Sequence, residues 1–155
     1  MTTNYLPKFM NQGFTSIAFK MDDGNGIKYI SGIGKFSSAG IVIEFESKLF
    51  GIISNGVKEV RIALNEILDV KFKKGVFKVC AKIEVRLNTL AKLKELPNKN
   101  GRLILNIVRQ DFEEAERAAA KLQKDVQTHQ LSLSEEKTPV RRLFDESEDE
   151  TKKFD

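Results

Sequence analysis

The sequence contains few of the residues that most often carry catalysis, metal binding or disulfide bonding. Its 155 residues include no tryptophan, three prolines, one cysteine and one histidine. A single cysteine, Cys80, excludes an internal disulfide. His129, the only histidine, has no neighbours in the pattern of a general base or a metal site. We therefore expect a protein that is not an enzyme and that holds no metal or cofactor.

Long apolar runs are also missing. No stretch approaches the roughly 20 apolar residues that a membrane-spanning helix needs. The N-terminal stretch lacks the charged head and apolar core of a signal peptide, so we expect a cytoplasmic protein. Hydrophobic residues make up 41% of the chain and charged residues 31%. At this length, such a composition is typical of one globular domain.

Charge is distributed unevenly along the chain. Residues 1–109 hold 18 Lys and Arg against 9 Asp and Glu, whereas residues 127–155 hold 5 against 8. A basic body is therefore followed by an acidic tail. We expect a loose lead-in at residues 1–12, a folded domain at 13–127 and a disordered acidic tail at 128–155.

Seven segments are predicted to be strands. The clearest pattern is a hairpin whose first strand alternates at Leu68, Val70 and Phe72, with a turn at Lys74 and Gly75. Its second strand has apolar residues of one parity, as a strand with one buried face requires: Val79, Ala81, Ile83, Val85 and Leu87. The other five segments are 14–21, 27–36, 41–46, 58–64 and 103–107. Within the second of these, Gly32 and Gly34 predict a bulge or a sharp coil of the sheet.

One long helix is predicted after the last strand. Asp111 and Glu114 have the spacing of a capping box, which satisfies backbone N–H groups at a helix start. Apolar residues then recur at helical spacing and form one stripe: Phe112, Ala115, Ala119, Leu122 and Val126. The pattern ends after Gln127, where we expect the tail to begin.

Seven antiparallel strands followed by one helix is an order that resembles the pleckstrin-homology-like fold. A run in the middle of the chain resembles small bacterial domains of this family, and the resemblance covers residues 13–127. The run consists of Val60, Ile62, Leu64, Ile67, Val70, Phe72 and Phe77 at fixed spacing, with Lys73-Lys74-Gly75 between the last two. The resemblance implies a mainly β (α+β) fold, a bent barrel of about seven antiparallel strands capped by one C-terminal helix. It also implies binding rather than catalysis.

The sequence departs from the lipid-binding members of that family in its first turn. Those members are expected to hold phosphoinositides with basic residues around the first hairpin. Here the turn reads Asp22-Asp23-Gly24-Asn25-Gly26, and its carboxylates would repel a phosphate. The usual inositol-lipid site is therefore not expected in this chain.

A first candidate binding surface is an apolar connection in the segment 47–56. It carries four large apolar residues where a connection is normally polar: Leu49, Phe50, Ile52 and Ile53. If this segment is exposed, it is a candidate interaction loop that would dock in a partner groove or dip into a bilayer surface, with the flanking Lys48 and Lys58 at the headgroups. If it folds back, it plugs one end of the barrel, and the sequence leaves both alternatives open.

A second candidate is a basic patch on the outward face and tip of the predicted hairpin. Its members are Lys71, Lys73, Lys74, Lys78, Lys82 and Arg86. Because strand side chains alternate, these cations project together and would attract an anionic lipid surface, phosphate or an acidic partner. The alternative is a solvated face whose lysines prevent strand aggregation. Aromatic residues do not interleave with the lysines, which disfavours nucleic acid as a partner.

The tail contains a third candidate. Arg141, Arg142, Leu143 and Phe144 precede an acidic run at 145–150. Such a motif within a disordered segment is typical of a docking peptide that folds on binding. The tail would also serve as a mask over the basic patch, or only as a solubiliser, and these three roles stay open.

These patterns favour one function and one alternative. We expect a non-enzymatic, pleckstrin-homology-like binding or adaptor module that mediates protein–protein interaction. The alternative is peripheral binding to an anionic membrane surface through the basic hairpin. Homo-oligomers are compatible with the sequence, which does not require them.

Overall fold

Alternating apolar and polar residues form antiparallel strands over most of the chain. The structure is a computed structural model that describes residues 13–22, 25–96 and 98–136, except the side chains of Asp22, Ile53 and Lys78. The strands of the described part are β1 (Thr15–Asp22), β2 (Lys28–Ser37), β3 (Gly40–Leu49), β4 (Ile53–Ala63), β5 (Ile67–Lys74), β6 (Ala81–Leu87), β7 (Asn98–Lys99) and β8 (Arg102–Ile107). The helix α1 (Phe112–Glu136) follows the last strand.

The strands form one open antiparallel sheet. Their order is β4-β3-β2-β1-β8-β6-β5, and the short β7 pairs with β8. β4 and β5 lie at the two edges, yet a single 3-10 turn at Leu64–Glu66 joins them in the chain. The sheet therefore curls so that its edges approach, consistent with a bent barrel capped by α1. The predicted mainly β fold with one C-terminal helix is confirmed.

Polar contacts fix the corner between β4 and β5. The carboxylate of Glu66 accepts hydrogen bonds from the backbone N–H of Ala63 at 2.8 Å and from Lys92 Nζ at 2.6 Å. Lys92 Nζ also donates to the backbone carbonyl of Arg61 at 2.6 Å. The hydrogen bond from Lys92 is the main cause that holds the pKa of Glu66 below its ordinary value.

Inward-facing residues of the sheet and the helix form one core. The largest fully buried side chains include Ile17, Phe19, Ile41, Ile43, Ile62, Ile83, Leu103, Leu105 and Leu122. Of the two alternatives predicted at Gly32 and Gly34, a bulge or a sharp coil of the sheet, the bulge is wrong, because pairing with β1 and β3 continues through both residues. Gly32 lies opposite Phe19, and a Cβ there would stand 2.1 Å from the carbonyl oxygen of Glu44. The close approach of the neighbouring strand explains this glycine.

Helix α1 buries the apolar stripe predicted from its spacing. Its buried residues are Ala115, Ala118, Ala119, Leu122 and Val126, and Phe112 packs against the core while partly exposed. Small alanine side chains let the helix lie close to the sheet. A 3-10 turn at Arg109–Asp111 places Asp111 directly before the first helical residue, which is the predicted capping position.

The same helix covers the outer edge of β5. Gln123 Oε1 accepts a hydrogen bond from the backbone N–H of Val70 at 2.6 Å, and Gln130 Nε2 donates to the carbonyl of Leu68 at 3.2 Å. The helix continues past Gln127, where the apolar pattern ends, to Glu136. The contact of Gln130 is one that a search for apolar spacing does not detect.

The turn between β5 and β6 differs from its prediction. Lys74 pairs with Ala81, so residues 75–80 form a loop that contains a 3-10 turn at Val76–Lys78. The tight turn predicted directly after Lys74 is therefore wrong. Val79, predicted to face the core, is exposed in this loop. The alternation of apolar and polar residues continues beyond the strand into loop residues that have no strand partner, and this is why Val79 was predicted to be buried.

A bulge corrects the pattern within β5. The register with β6 shifts between Ile67 and Asp69, so one extra residue separates the inward-facing positions. Ile67 and Val70 are buried as a result, and Leu68, predicted to face inward, is exposed. Phe72 packs against the core as predicted.

Candidate functional site: two exposed hairpin tips

The β3–β4 tip, residues 49–53, is a tight turn at the end of two long strands. β3 and β4 remain paired up to Leu49 and Ile53. Phe50 and Gly51 take φ values of +52° and +69°, and the N–H of Ile52 donates to the carbonyl of Leu49 at 3.1 Å. Positive φ at both central positions is what a type I′ hairpin turn requires. The N–H of Phe50 also donates to the carbonyl of Ile27 at 2.8 Å, which anchors the turn to the chain before β2.

Two apolar side chains of this tip, those of Phe50 and Ile52, face solvent. Phe50 is 70% exposed and Ile52 is 85% exposed, whereas Leu49 is half-buried. The fourth predicted residue, Ile53, lies on β4, and its side chain is outside the described part. Phe50 and Ile52 therefore do not plug the barrel, and the exposed alternative holds for them. A phenylalanine at positive φ is uncommon and stores strain on the order of 1 kcal/mol.

A groove of about 530 Å³ lies beside the β3–β4 tip. Its apolar lining comes from Ile30, Phe45, Val60 and Leu96. Its charged lining carries both signs and comes from Lys28, Lys58, Lys94, Glu59 and Glu95. Lys28, which lines the groove, pairs with Leu49 of the tip across the sheet. An apolar floor with a polar rim is typical of protein-binding surfaces.

β4 is an edge strand with two features that discourage further strand pairing. The register with β3 shifts between Glu46 and Lys48, opposite an extra residue on β4, and Gly56 takes a φ of +78°. Lys58 shares the parity of the buried Val60 and carries a charge at the edge. Bulges and charges on the core side are typical protections of an exposed edge. Contact through the side chains of the tip is therefore favoured over strand addition.

The predicted lysines of the second surface are engaged in ion pairs. Lys73 Nζ lies 2.7 Å and Lys82 Nζ 3.0 Å from the carboxylate of Glu84. Lys74 Nζ lies 3.0 Å from Glu116 on α1, and Lys71 Nζ is 4.0 Å from Asp69. Lys78 lies in the loop, and its side chain is outside the described part.

Two carboxylates lie beneath these cations. The side chain of Glu84 is only 7% exposed, and Arg102 Nη1 approaches it to 3.5 Å as a third cation. The hydrogen bond from Lys73 is the main cause that lowers the pKa of Glu84, with Lys82 adding to it. Arg86 hydrogen-bonds to Asp69 and lowers the pKa of that carboxyl in the same way.

We call the outward side of β5, β6 and β8 the cationic face. It carries five cationic side chains, Lys71, Lys73, Lys82, Arg86 and Arg102, over the carboxylates of Asp69 and Glu84. The carboxylates are nearly covered, whereas the cations are about half exposed. The buried anions thus position the cations, and the face presents positive charge to solvent.

The β5–β6 tip, residues 75–80, contains functional candidates that the sequence did not reveal. Val76, Phe77 and Val79 are 77%, 89% and 67% exposed. A signal was available in the sequence, because Val76 has one strand parity and Phe77 and Val79 the other, so a strand cannot bury all three on one face. Val76 and Cys80 border a depression of about 330 Å³ whose lining also includes Lys73, Lys74, Lys82 and Asn106.

His129 and Cys80 are the residues that the sequence offered for catalysis or metal binding. Among them, no group of three or more His, Cys, Asp and Glu side chains is arranged to hold a metal ion. His129 lies half-buried on α1, and Cys80 is an exposed thiol in the β5–β6 tip. α1 is too polar to cross a bilayer, and the described chain has no other helix that would. The tail motif at Arg141, Arg142, Leu143 and Phe144 lies outside the described residues.

Comparison with family models, with curated proteins and with solved structures gives no match to this chain. The pleckstrin-homology-like assignment therefore stays a prediction, based on the order of the elements and on the run from Val60 to Phe77. The function is therefore inferred from the geometry of the two tips.

Proposed function

We propose that this chain is a non-enzymatic binding module of the pleckstrin-homology-like type, and that its β3–β4 tip contacts a protein partner. The observation that carries the proposal is the exposure of Phe50 and Ile52 at the end of a hydrogen-bonded hairpin. Large apolar side chains that remain in water on a well-defined turn are typical of interaction sites. Burying each of them in a partner would contribute roughly 1.5–3 kcal/mol.

The surroundings of the tip favour a protein as this partner. The adjoining groove combines an apolar floor with lysines and the carboxylates of Glu59 and Glu95. A protein surface can match charges of both signs. The turn is already ordered by the hydrogen bonds of Phe50 and Ile52, so binding costs little conformational entropy there.

The test is affinity capture with matched variants. The full chain is immobilised and exposed to a lysate of the source cells, in parallel with Phe50→Asp and Ile52→Asp. Phe77→Asp is the control, because it adds the same charge to the other exposed tip. We expect one or more proteins that the wild type and the control retain and that both β3–β4 tip variants lose. Circular dichroism should show that all four chains are equally folded.

The same experiment can contradict the proposal in two ways. If the wild type and the Phe50 and Ile52 variants retain the same proteins, the tip is not the contact. If either variant unfolds, the side chain it replaces supports the fold, and its exposure has been misjudged.

The second candidate function is peripheral binding to an anionic membrane surface. It is favoured by the cationic face, on which Asp69 and Glu84 are nearly covered while five cations reach solvent. Each lysine or arginine near an anionic membrane contributes about 1 kcal/mol, and salt weakens this attraction. The predicted basic patch lies on the same hairpin, formed by β5 and β6. The cationic face would then bind a membrane, and the β3–β4 tip would bind a protein.

A further inference from the structure

We propose that the β5–β6 tip inserts Val76, Phe77 and Val79 into the interfacial region of an anionic membrane while Lys73, Lys74 and Lys82 contact the lipid headgroups. This inference rests on the second candidate function and adds an apolar contact to it. It concerns a different tip from the one that is proposed to bind a protein.

The apolar side chains of the β5–β6 tip lie together at its exposed end. Three of the six residues in the loop are large, apolar and mostly exposed, and Phe77 is among them at 89%. They lie within four consecutive residues, 76–79, which also include Lys78, at the end of a hairpin rather than being scattered over a surface. An aromatic and two aliphatic side chains at the end of a projecting element suit shallow burial at the boundary of headgroups and acyl chains.

The backbone of the loop holds a strained and closed conformation. Phe77 takes a φ of +62°, a conformation that costs a phenylalanine strain. The N–H of Gly75 donates to the carbonyl of Cys80 at 2.5 Å and closes the loop. Strain at an exposed residue is a feature from which function can be inferred. The loop holds the apolar side chains outward before any ligand binds, which lowers the entropic cost of insertion.

Positively charged side chains lie directly behind the apolar residues of the tip. The depression of about 330 Å³ at the base of the tip is lined by Lys73, Lys74, Lys82 and the amide side chain of Asn106. Lys73 and Lys82 are held in place by Glu84, whose side chain is nearly covered. Lys74 pairs with Glu116, but both side chains are about half exposed, so this pair is weak and free to exchange.

The order of these groups along the hairpin matches the order of layers in a membrane interface. Apolar side chains lie farthest out, and ammonium groups lie one step behind them, at the depth of phosphates and carboxylates. The residues that line the depression include no carboxylate. In this respect the β5–β6 tip differs from the groove beside the β3–β4 tip, which Glu59 and Glu95 border.

The absence of tryptophan from the sequence provides a direct test. Phe77→Trp introduces a single fluorophore at the proposed insertion point, and Phe50→Trp introduces one at the other tip. Both full-length variants are titrated with vesicles of phosphatidylcholine alone and of phosphatidylcholine with phosphatidylserine. We expect a blue shift and quenching by brominated acyl chains for Trp at position 77, only with anionic vesicles, and neither change at position 50.

Co-sedimentation with the same vesicles separates insertion from electrostatic attraction. We expect Phe77→Asn to reduce the partition coefficient of the full chain by about tenfold or more, because asparagine keeps the positive φ but has little apolar area. Lys74→Gln combined with Lys82→Gln should reduce it by about tenfold or more and flatten its dependence on salt. Phe50→Asn, the matched control, should leave it unchanged.

The outcomes distinguish this inference from the function on which it rests. Salt-sensitive binding that is unaffected by Phe77→Asn, without a blue shift at position 77, would overturn insertion and leave electrostatic attraction standing. Equal binding to neutral vesicles would overturn the role of the lysines. If the wild-type chain binds neither vesicle at low salt, both the inference and the second candidate function are wrong.

Discussion

Gln123 on helix α1 accepts a hydrogen bond from the backbone N–H of Val70 at 2.6 Å. This contact satisfies an edge group of β5 that would otherwise be free to pair with another strand. Gln130 makes a second contact two residues away on β5, where its side chain donates a hydrogen bond to the carbonyl of Leu68. The helix thereby closes one edge of the sheet, and the other edge, β4, lies beside the groove and the β3–β4 tip.

We expect Gln123→Ala to lower the free energy of unfolding by about 1–2 kcal/mol, because it leaves the partly buried N–H of Val70 without its acceptor. Chemical denaturation measures this change. Hydrogen exchange gives a local check, since the amide of Val70 should exchange faster. Gln127→Ala on the exposed side of α1 is the matched control and should change neither quantity. Unaltered exchange at Val70 would contradict the role given to Gln123.

Glu84 should determine part of the acid sensitivity of the fold. Its pKa is lowered from an ordinary value of 4.5 in the folded state, mainly by Lys73. A carboxyl with a depressed pKa stabilises the fold fully above its unfolded pKa, and this contribution is lost as the pH falls through the folded pKa. The free energy of unfolding should therefore be level near neutral pH and decrease below about pH 4.5.

We expect Glu84→Gln to lower the free energy of unfolding at pH 7 by about 1–3 kcal/mol, since it leaves Lys73, Lys82 and Arg102 without their shared anion. The variant should also show a shallower loss of stability in acid than the wild type. Denaturation curves at several pH values measure both effects. Parallel pH profiles for the two chains would show that Glu84 is not a source of the acid sensitivity.

The positive φ of Phe50 destabilises the fold, and a residue that tolerates this φ should remove the strain. We expect Phe50→Asn to leave the fold intact and to raise the free energy of unfolding by up to about 1 kcal/mol, because asparagine adopts positive φ more readily. Val57→Asn is the control, since Val57 is also exposed but does not have a positive φ. It should give no gain. A clear loss of stability in Phe50→Asn would mean that the phenylalanine supports the fold rather than a contact.

The sequence was informative where one physical rule acts alone. Alternation at Ile83, Val85 and Leu87 predicted a strand with one buried face, and the spacing of Ala115, Ala119 and Leu122 predicted the buried side of α1. Both patterns follow from the geometry of regular elements. The exposed apolar connection was also predicted as one of two alternatives, and the structure decides between them for Phe50 and Ile52.

Errors arose where a local backbone feature interrupts the pattern. The bulge at Leu68 reverses the parity that its neighbours suggest, and the positive φ of Phe77 turns the chain where the alternation of Val79 continues. The bulge leaves no mark on apolar spacing, whereas the turn was signalled by Val76, whose strand parity is opposite to that of Phe77 and Val79. The ion pairs of Lys73 and Lys82 with Glu84 depend on register across β5 and β6, which one strand alone cannot reveal. The apolar β5–β6 tip was missed because the alternation of the second strand was extended to Val79, which lies in the loop.

The most direct measurement of the proposed protein contact is site-specific photocrosslinking in the source cells. A photoreactive phenylalanine analogue replaces Phe50 in the full chain, and in separate chains it replaces Arg61, an exposed residue on β4, or Phe77. We expect a discrete protein adduct from position 50 that is absent from positions 61 and 77. If position 50 yields no adduct, or the same adducts as the other two positions, the β3–β4 tip does not bind a protein partner.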